Sequence, residues 1–286
     1  MTVKQKVIGR YAPSPTGALH LGNLRTALLA WLQVRTQGGV FLLRMEDLDL
    51  PRVVKGSDKQ ILHDLEWLGI DWDGEVVYQS QRTDLYQDAL NRLSEMELTY
   101  PCFCSRKDIQ QAASAPHVAP GVYPNVCRDL SKEQCEEKSL SKAPAIRCKV
   151  QGDLVNSCGD FVIKRADGLF AYQLAVVVDD LDQGVNQVLR GKDLYDSTPR
   201  QRYLASLLEP NKEEINYTHV PLMLDSEGVR LSKRDGSLSV SSYRSKGITP
   251  DLLRGELVYG LGWIDQIRTI SMDEIMKLVT EIDLGW

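Results

Sequence analysis

The sequence predicts an α/β fold: a parallel sheet with helices on its faces, an inserted segment of different character, and a short helical region towards the C-terminus. Three observations carry this. Short apolar runs alternate with helical apolar patterns over roughly the first hundred residues, the signature of strand–helix–strand units. From Pro101 to about Asp160 the apolar periodicity fades while Cys, Pro and Ser accumulate. Beyond Ile248 two more helix starts are written in the sequence. The expected division is 1–100 with 161–240 as one split domain, 101–160 as the insertion and 241–286 as the helical region.

Taken in order, Val7 to Tyr11 reads as a strand closed by Pro13 and Pro15. A helix follows from about Gly22 to Thr36, with Leu24, Leu28, Trp31 and Leu32 on one face and Gly38-Gly39 as its stop. Val40 to Met45 is a buried strand running into Glu46, Asp47 and Asp49. Ser57 and Gln60 read as a capping box for a helix whose apolar face is Ile61, Leu62, Leu65 and Leu68. The next helix spans about Thr83 to Met96, with Leu85, Ala89, Leu93 and Met96 inward. Asp167-Gly168 is the turn signal of a hairpin joining Val162–Arg165 to Leu169–Tyr172, and Ala175 to Val178 reads as a buried strand. Thr198-Pro199-Arg200-Gln201 combines an N-cap, a proline at the first helical position and a Gln at N3. Leu222-Met223-Leu224 closes a strand, while Thr249-Pro250 and the Ser271–Glu274 box open the last two helices.

With 286 residues, 43% hydrophobic and 26% charged, the profile is that of a soluble globular protein with enough chain for one large core or two domains. No apolar run reaches the ~18 residues of a membrane span, and the N-terminus has neither a signal core nor a cleavage site. No membrane partner, a cytoplasmic location and a monomer are expected. The net charge of -5 and a pI near 5.5 require any RNA-binding groups to be local. One such stretch is Val229 to Lys246, with Arg230, Lys233, Arg234, Arg244 and Lys246 against Asp235; charge alone would equally describe a solvated loop.

The run Pro13-Ser14-Pro15-Thr16-Gly17-Ala18-Leu19-His20-Leu21-Gly22-Asn23 sits between the first strand and the first helix, where open α/β sheets bind ligands. A helix N-terminus there offers N–H groups and the positive end of a dipole to a phosphate. Gly22 permits close approach, and His20 can donate to a phosphate oxygen. A second run, Arg230-Leu231-Ser232-Lys233-Arg234-Asp235-Gly236, carries a lysine able to stabilise charge on the outer phosphates as pyrophosphate leaves. A lone His-x-Gly would read as an ordinary loop, but its placement after the first strand, behind Pro-x-Pro-x-Gly, favours ligand binding; the second run, read singly, is a solvated turn.

Six cysteines occupy positions 102, 104, 127, 135, 148 and 158, and in a cytosolic chain close spacing favours metal over disulfide. Cys102-Phe103-Cys104 and Cys127 offer three thiolates around a loop of 22 residues. A structural zinc takes four ligands, and chemistry alone nominates His117 or Cys135 as the fourth. Cys135, Cys148 and Cys158 read most simply as small core or surface residues.

Together, the early His-Leu-Gly-Asn and the later Leu-Ser-Lys-Arg resemble the paired "HIGH" and "KMSKS" signatures of class I aminoacyl-tRNA synthetases. Arg10 to Gly17, Leu43 to Asp49, Phe170 to Asp180 and Leu189 to Leu194 narrow the resemblance to the glutamyl/glutaminyl branch. Within it the sequence is most similar to the glutamyl-Q tRNA(Asp) synthetase family, a shortened relative of glutamyl-tRNA synthetases. The Cys-x-Cys and Tyr-x-x-x-Cys pattern matches, and 286 residues leave no room for a long helical anticodon-binding part.

The resemblance implies a Rossmann-like class I synthetase sheet with a zinc-containing acceptor-type subdomain inserted. It implies Arg10 and Arg190 facing carboxylates of glutamate, Glu46 taking its ammonium, and Ala12, Ser14 and Tyr172 completing the pocket. His20, Gly22, Asn23 and Lys233 fall on ATP, with His20 and Lys233 as the catalytic pair. Tyr123 becomes the fourth zinc ligand with Cys102, Cys104 and Cys127, and Mg2+ accompanies ATP. A buried arginine for the side-chain carboxylate favours glutamate over glutamine. The implied reaction is activation of glutamate to glutamyl-adenylate without RNA, then transfer to the queuosine base of tRNA(Asp). The alternative is charging of the 3′ end of tRNA(Glu). Two departures stand out: Asn23 replaces the last histidine of the first motif, and Arg230 to Arg234 keeps only the centre of the second.

Overall fold

The computed structural model describes residues 5–105, 107–109, 122–223 and 239–282. Its strands are β1 (Ile8–Tyr11), β2 (Val40–Met45), β3 (Val77–Tyr78), β4 (Thr99–Cys102), β5 (Ala145–Cys148), β6 (Phe161–Lys164), β7 (Gln187–Gly191) and β8 (Asn216–Val220). The chain forms two compact units. One comprises Met1–Gln79, Gly184–Tyr195 and Ile215–Trp286; the other comprises Ser80–Gln183 and Asp196–Glu214.

The first unit is built on a five-stranded sheet of order β3-β2-β1-β7-β8, parallel at every pairing. The chain steps outward from β1 through β2 to β3, then resumes on the opposite side of β1 with β7 and β8. The winding therefore reverses between β1 and β7, and a doubly wound sheet binds ligands at the carboxyl ends of its strands where this happens.

Helix α1 (Leu21–Arg35) packs on one face of this sheet. The approach is close: a Cβ on Gly9 would lie 2.4 Å from Val34 Cγ2. Tyr11, Phe41, Leu43, Met45 and Leu189 form the main core with Leu24, Leu28 and Leu32 of α1. Side chains alternate along a strand, so Ile8, Leu42 and Val188 fall on the opposite face, in a second cluster with Val185, Ile215 and Tyr217.

Helix α2 (Ser57–Leu68) ends at Gly69, whose φ of 86° is left-handed. The guanidinium of Arg254 donates to the Leu68 carbonyl at 2.8 Å, placing a cation at the negative end of the helix. The expected Ser57–Gln60 capping box does not form. Gly56 is the N-cap residue at φ 80°, without a side-chain bond, because Ser57 Oγ instead donates to the Pro15 carbonyl at 2.6 Å. Near the C-terminus, Thr249 caps Pro250–Tyr259, and Ser271 and Glu274 exchange the two bonds of a capping box at 2.9 and 3.2 Å. The strand expected to close at 222–224 is β8, which ends at Val220; Leu224 lies outside the described residues.

The second unit holds a three-stranded antiparallel sheet of order β4-β5-β6. Helix α3 (Thr83–Glu95) turns Tyr86, Ala89, Leu90 and Leu93 inward. Leu85 and Met96 are exposed, so the inward stripe lies one residue round from the expected one. Asp167-Gly168 does make the turn, with Gly168 at φ 89° and the Arg165 amide bonded to the Leu169 carbonyl at 2.8 Å. The second arm amounts to one bridge, Lys164 to Phe170.

The segment read as a strand at Ala175–Val178 is a helix, Tyr172–Asp182. All seven residues from Leu174 to Asp180 are buried, so no polar face discloses the period, and three consecutive valines bias the reading towards a strand. Buried Asp179 on this helix accepts from Arg82 Nε at 2.7 Å and Tyr86 Oη at 3.0 Å. In the helix Thr198–Leu208 the N-cap residue is Ser197, with no side-chain cap bond. Ser197 Oγ accepts from Gln173 Nε2 and Gln201 Nε2 donates to Gln173 Oε1, both at 3.0 Å.

Candidate functional site

The turn after β1 carries Ala12, Ser14 and His20 into the first turn of α1. His20 is the N-cap residue of α1, in extended conformation. Its Nδ1 accepts from the Gly22 amide at 3.1 Å, and Asn23 Oδ1 accepts from the His20 amide at 3.2 Å. An imidazole that accepts at Nδ1 in its neutral form carries its proton on Nε2, so the cap fixes the tautomer as well as the ring. Asn23 closes the reciprocal bond of the box. Gly22 leaves room for the ring: a Cβ there would meet His20 Cε1 at 3.0 Å and Nδ1 at 3.1 Å. Tyr11 Oη donates to the Asn23 carbonyl at 3.4 Å, and burial pushes this phenol up, well beyond its ordinary range, so it remains a donor.

Arg10 lies in β1 and Arg190 in β7, at 5% and 4% exposure. Gly9 pairs with Gln187, so by strand alternation Arg10 and Arg190 share the sheet face opposite α1. Glu46 follows β2, held by its amide bond to the Pro13 carbonyl at 3.0 Å. Its carboxylate lies 3.9 Å from the guanidinium of fully buried Arg44, an ion pair that the motif reading did not anticipate. Two cations and an acid thus occupy the carboxyl end of one sheet, with the N-terminus of α1 following from the same turn.

The chain flanking residues 224–238 is anchored at that turn. His20 bridges to Ser239, and Met223 Cβ lies 3.9 Å from where a Cβ on Gly22 would stand. Arg25 of α1 donates to the Pro221 carbonyl. Lys233, with the rest of Arg230 to Gly236, lies outside the described residues, as does His117. Tyr172 is in the other unit, where it opens its helix.

In the second unit the Sγ atoms of Cys102, Cys104 and Cys127 lie within 4.8 Å of one another. Tyr123 Oη is 3.3 Å from Cys102 Sγ and 3.4 Å from Cys104 Sγ, and Cys104 and Cys127 Sγ are 3.6 Å apart. Zinc–sulfur bonds of about 2.3 Å in a tetrahedron set sulfurs about 3.8 Å apart, so the donor set fits a tetrahedral metal. Burial, helped by the neighbouring sulfurs, pushes the Cys104 thiol up to about 11. Three crowded thiolates are costly unless a cation sits among them. Cys135 is half-buried against the cluster but outside the triad. Cys148 and Cys158 are buried free thiols.

Sequence reading missed two supports of this cluster. Arg147 stacks on the Tyr123 ring with Cζ 3.6 Å from its centroid. Asp160 accepts from Tyr100 Oη at 2.8 Å, Arg128 Nη1 at 3.0 Å and the Val150 amide at 2.7 Å. Neither lies within a motif; both depend on the pairing of β4, β5 and β6.

The chain is 50% identical over 266 residues to the glutamyl-Q tRNA(Asp) synthetase of Nocardia farcinica, covering 89% of this chain and 84% of that one. It is 52% identical over 254 residues to that of Geobacter sulfurreducens, covering 85% and 80%. The crystal structure of glutamate-tRNA synthetase from Elizabethkingia anophelis superposes with a TM-score of 0.80 at 28% identity, over 96% of this chain. This chain spans 65% of that synthetase's length. The model of the family described as tRNA synthetases class I (E and Q), catalytic domain, matches residues 6–284, and to that family, with its class I Rossmann-like sheet, the chain belongs.

Proposed function

We propose that the protein activates glutamate with ATP and transfers it to the queuosine base of tRNA(Asp). The observation that carries the reading is the placement of Arg10, Glu46 and Arg190 at the carboxyl end of one doubly wound sheet, where the winding reverses. Glutamate presents one ammonium and two carboxylates, and this set answers both kinds of charge. Arg10 and Arg190 take the carboxylates, Glu46 takes the ammonium, and Ala12 and Ser14 line the same turn. The family resemblance adds Tyr172. The names borne by relatives at 42–52% identity favour the glutamyl-Q reading over charging of tRNA(Glu).

In the first step an α-carboxylate oxygen of glutamate attacks the α-phosphorus of ATP, and the bond to the β-phosphate oxygen breaks, releasing pyrophosphate. Nε2–H of His20 donates to a phosphate oxygen while Gly22 and Asn23 present the helix terminus. Lys233 answers the outer phosphates, and anchoring of the flanking chain beside His20 supports that role. Mg2+ accompanies the nucleotide. In the second step a hydroxyl of the RNA base attacks the mixed anhydride and AMP leaves. No protein nucleophile enters; positioning and charge stabilisation supply the rate.

Residues 101–160 form the inserted subdomain in this reading, with zinc on Cys102, Cys104, Cys127 and Tyr123. A four-ligand site has no open position, so the metal folds the insertion and takes no part in the reaction. Incubating labelled glutamate and ATP with bulk tRNA, with and without queuosine, tests the acceptor. Label is expected only on the queuosine-containing RNA; labelling of unmodified tRNA(Glu) would refute the assignment.

A further inference from the structure

We infer that His219 is a positioning residue that fixes which edge of the Arg190 guanidinium meets the substrate carboxylate. The inference rests on the reading of Arg190 as a carboxylate-binding residue. The register of β7 and β8 sets Arg190 opposite His219, and directly paired residues project to the same face of a sheet. Arg190 Nε donates to His219 Nε2 at 3.2 Å. The Arg190 Cζ lies 4.7 Å from the centroid of Tyr217, which shares β8 with His219. The His219 ring meets the edge of Tyr195, centroid to centroid 5.1 Å at 69°.

A guanidinium can engage a carboxylate in bidentate fashion along two edges, through Nε with one terminal nitrogen or through both terminal nitrogens. His219 occupies Nε. With Nε engaged by His219, the edge that includes Nε is not the one that meets the carboxylate, and the Tyr217 ring lies against the guanidinium. For His219 to accept at Nε2 its ring must be neutral, with the proton on Nδ1. The arrangement selects position and direction in a substrate, not charge alone, and acts on glutamate without extending to the nucleotide. The strand pairing is what assembles it, which is why neither motif reveals it.

The test compares His219→Phe, His219→Gln and Arg190→Met in glutamate-dependent ATP–pyrophosphate exchange, with thermal midpoints alongside. Phenylalanine keeps the ring against Tyr195 but accepts nothing; glutamine restores an acceptor oxygen at similar reach. H219F is expected to raise KM for glutamate about tenfold, the scale of one charge-assisted hydrogen bond. kcat and KM for ATP should stay within about twofold, and H219Q should recover most of the loss. If R190M raises KM for glutamate steeply while H219F leaves it unchanged, the positioning role is overturned and the reading of Arg190 stands. Equal losses in H219F and H219Q with matching falls in thermal midpoint would make His219 merely structural and also overturn it. If R190M itself spares glutamate, the assignment of Arg190 is what fails. Should H219F not fold, His219→Asn, polar but too short to reach Nε, takes its place with the same expected rise.

Discussion

Gly22 stands against His20 so closely that a methyl group at position 22 would reach the imidazole at 3.0 Å. The same glycine's amide is the donor that the ring accepts. The histidine is thus held from below by a backbone bond and given room by a missing side chain. Gly22→Ala should separate these effects. Alanine favours a helix over glycine by up to about 1 kcal/mol, so the variant should unfold no more easily in urea than the parent. Its exchange activity should fall severalfold, because the imidazole at 3.0 Å must give way by a few tenths of an ångström beside the reacting phosphate. A stable variant with full activity would show that the ring position is not critical.

The carboxylate of Asp160 gathers a phenol, a guanidinium and a backbone amide in the second unit. Removing one partner of a buried ionic network strands the others, at a cost of about 3–5 kcal/mol. Asp160→Ala should lower the urea midpoint accordingly, with Asp160→Asn less severe because it still accepts. Equal stability of D160A and the parent protein would contradict the network's importance.

The cluster of Cys102, Cys104, Cys127 and Tyr123 should bind one zinc per chain, counted by elemental analysis of purified protein. Cys102→Ser should lose the metal, and Tyr123→Phe should weaken it by about tenfold or more, measured by competition with a chromogenic chelator. Chelation should open residues 101–160 to protease while the rest of the chain resists. Unchanged affinity in Y123F would remove the phenol from the ligand set.

Burial works to raise the Asp73 carboxyl, but the Phe41 amide and the Arg35 guanidinium, at 2.8 and 2.6 Å, outweigh it and hold it below its ordinary value of 3.8. Between the native and unfolded values the unfolded chain binds the proton and the native chain does not, so stability rises with pH across that window. The contribution is fully present above pH 3.8 and lost as the pH falls through the native value. Asp73→Asn should flatten the acid side of the urea midpoint against pH while costing stability at neutral pH. An unchanged acid slope would assign the pH dependence elsewhere.

The parts of the fold legible in the sequence were those governed by local rules. β1, α1 and β2 follow one another as periodicity dictates, and Ser271 with Glu274 caps its helix as written. Local rules failed where tertiary contacts took over. Ser57 spends its hydroxyl on Pro15, not on its own helix. The helix Tyr172–Asp182 is buried on every side and shows no period to read. At the candidate site, the run after the first strand singled out His20 and the cysteine spacing singled out Cys102, Cys104 and Cys127, while Arg10, Glu46 and Arg190 came from the family resemblance alone. His219, Arg147 and Asp160 escaped notice because their positions depend on strand register, and register is a property of pairs of segments distant in the chain.

The most direct test of the central claim is ATP–pyrophosphate exchange by the purified protein without RNA, with glutamate or glutamine as the amino acid. The account predicts exchange that requires glutamate, proceeds without RNA, is lost in Arg190→Met and is negligible with glutamine. Exchange that ignores glutamate, or that starts only when a tRNA is added, would contradict it.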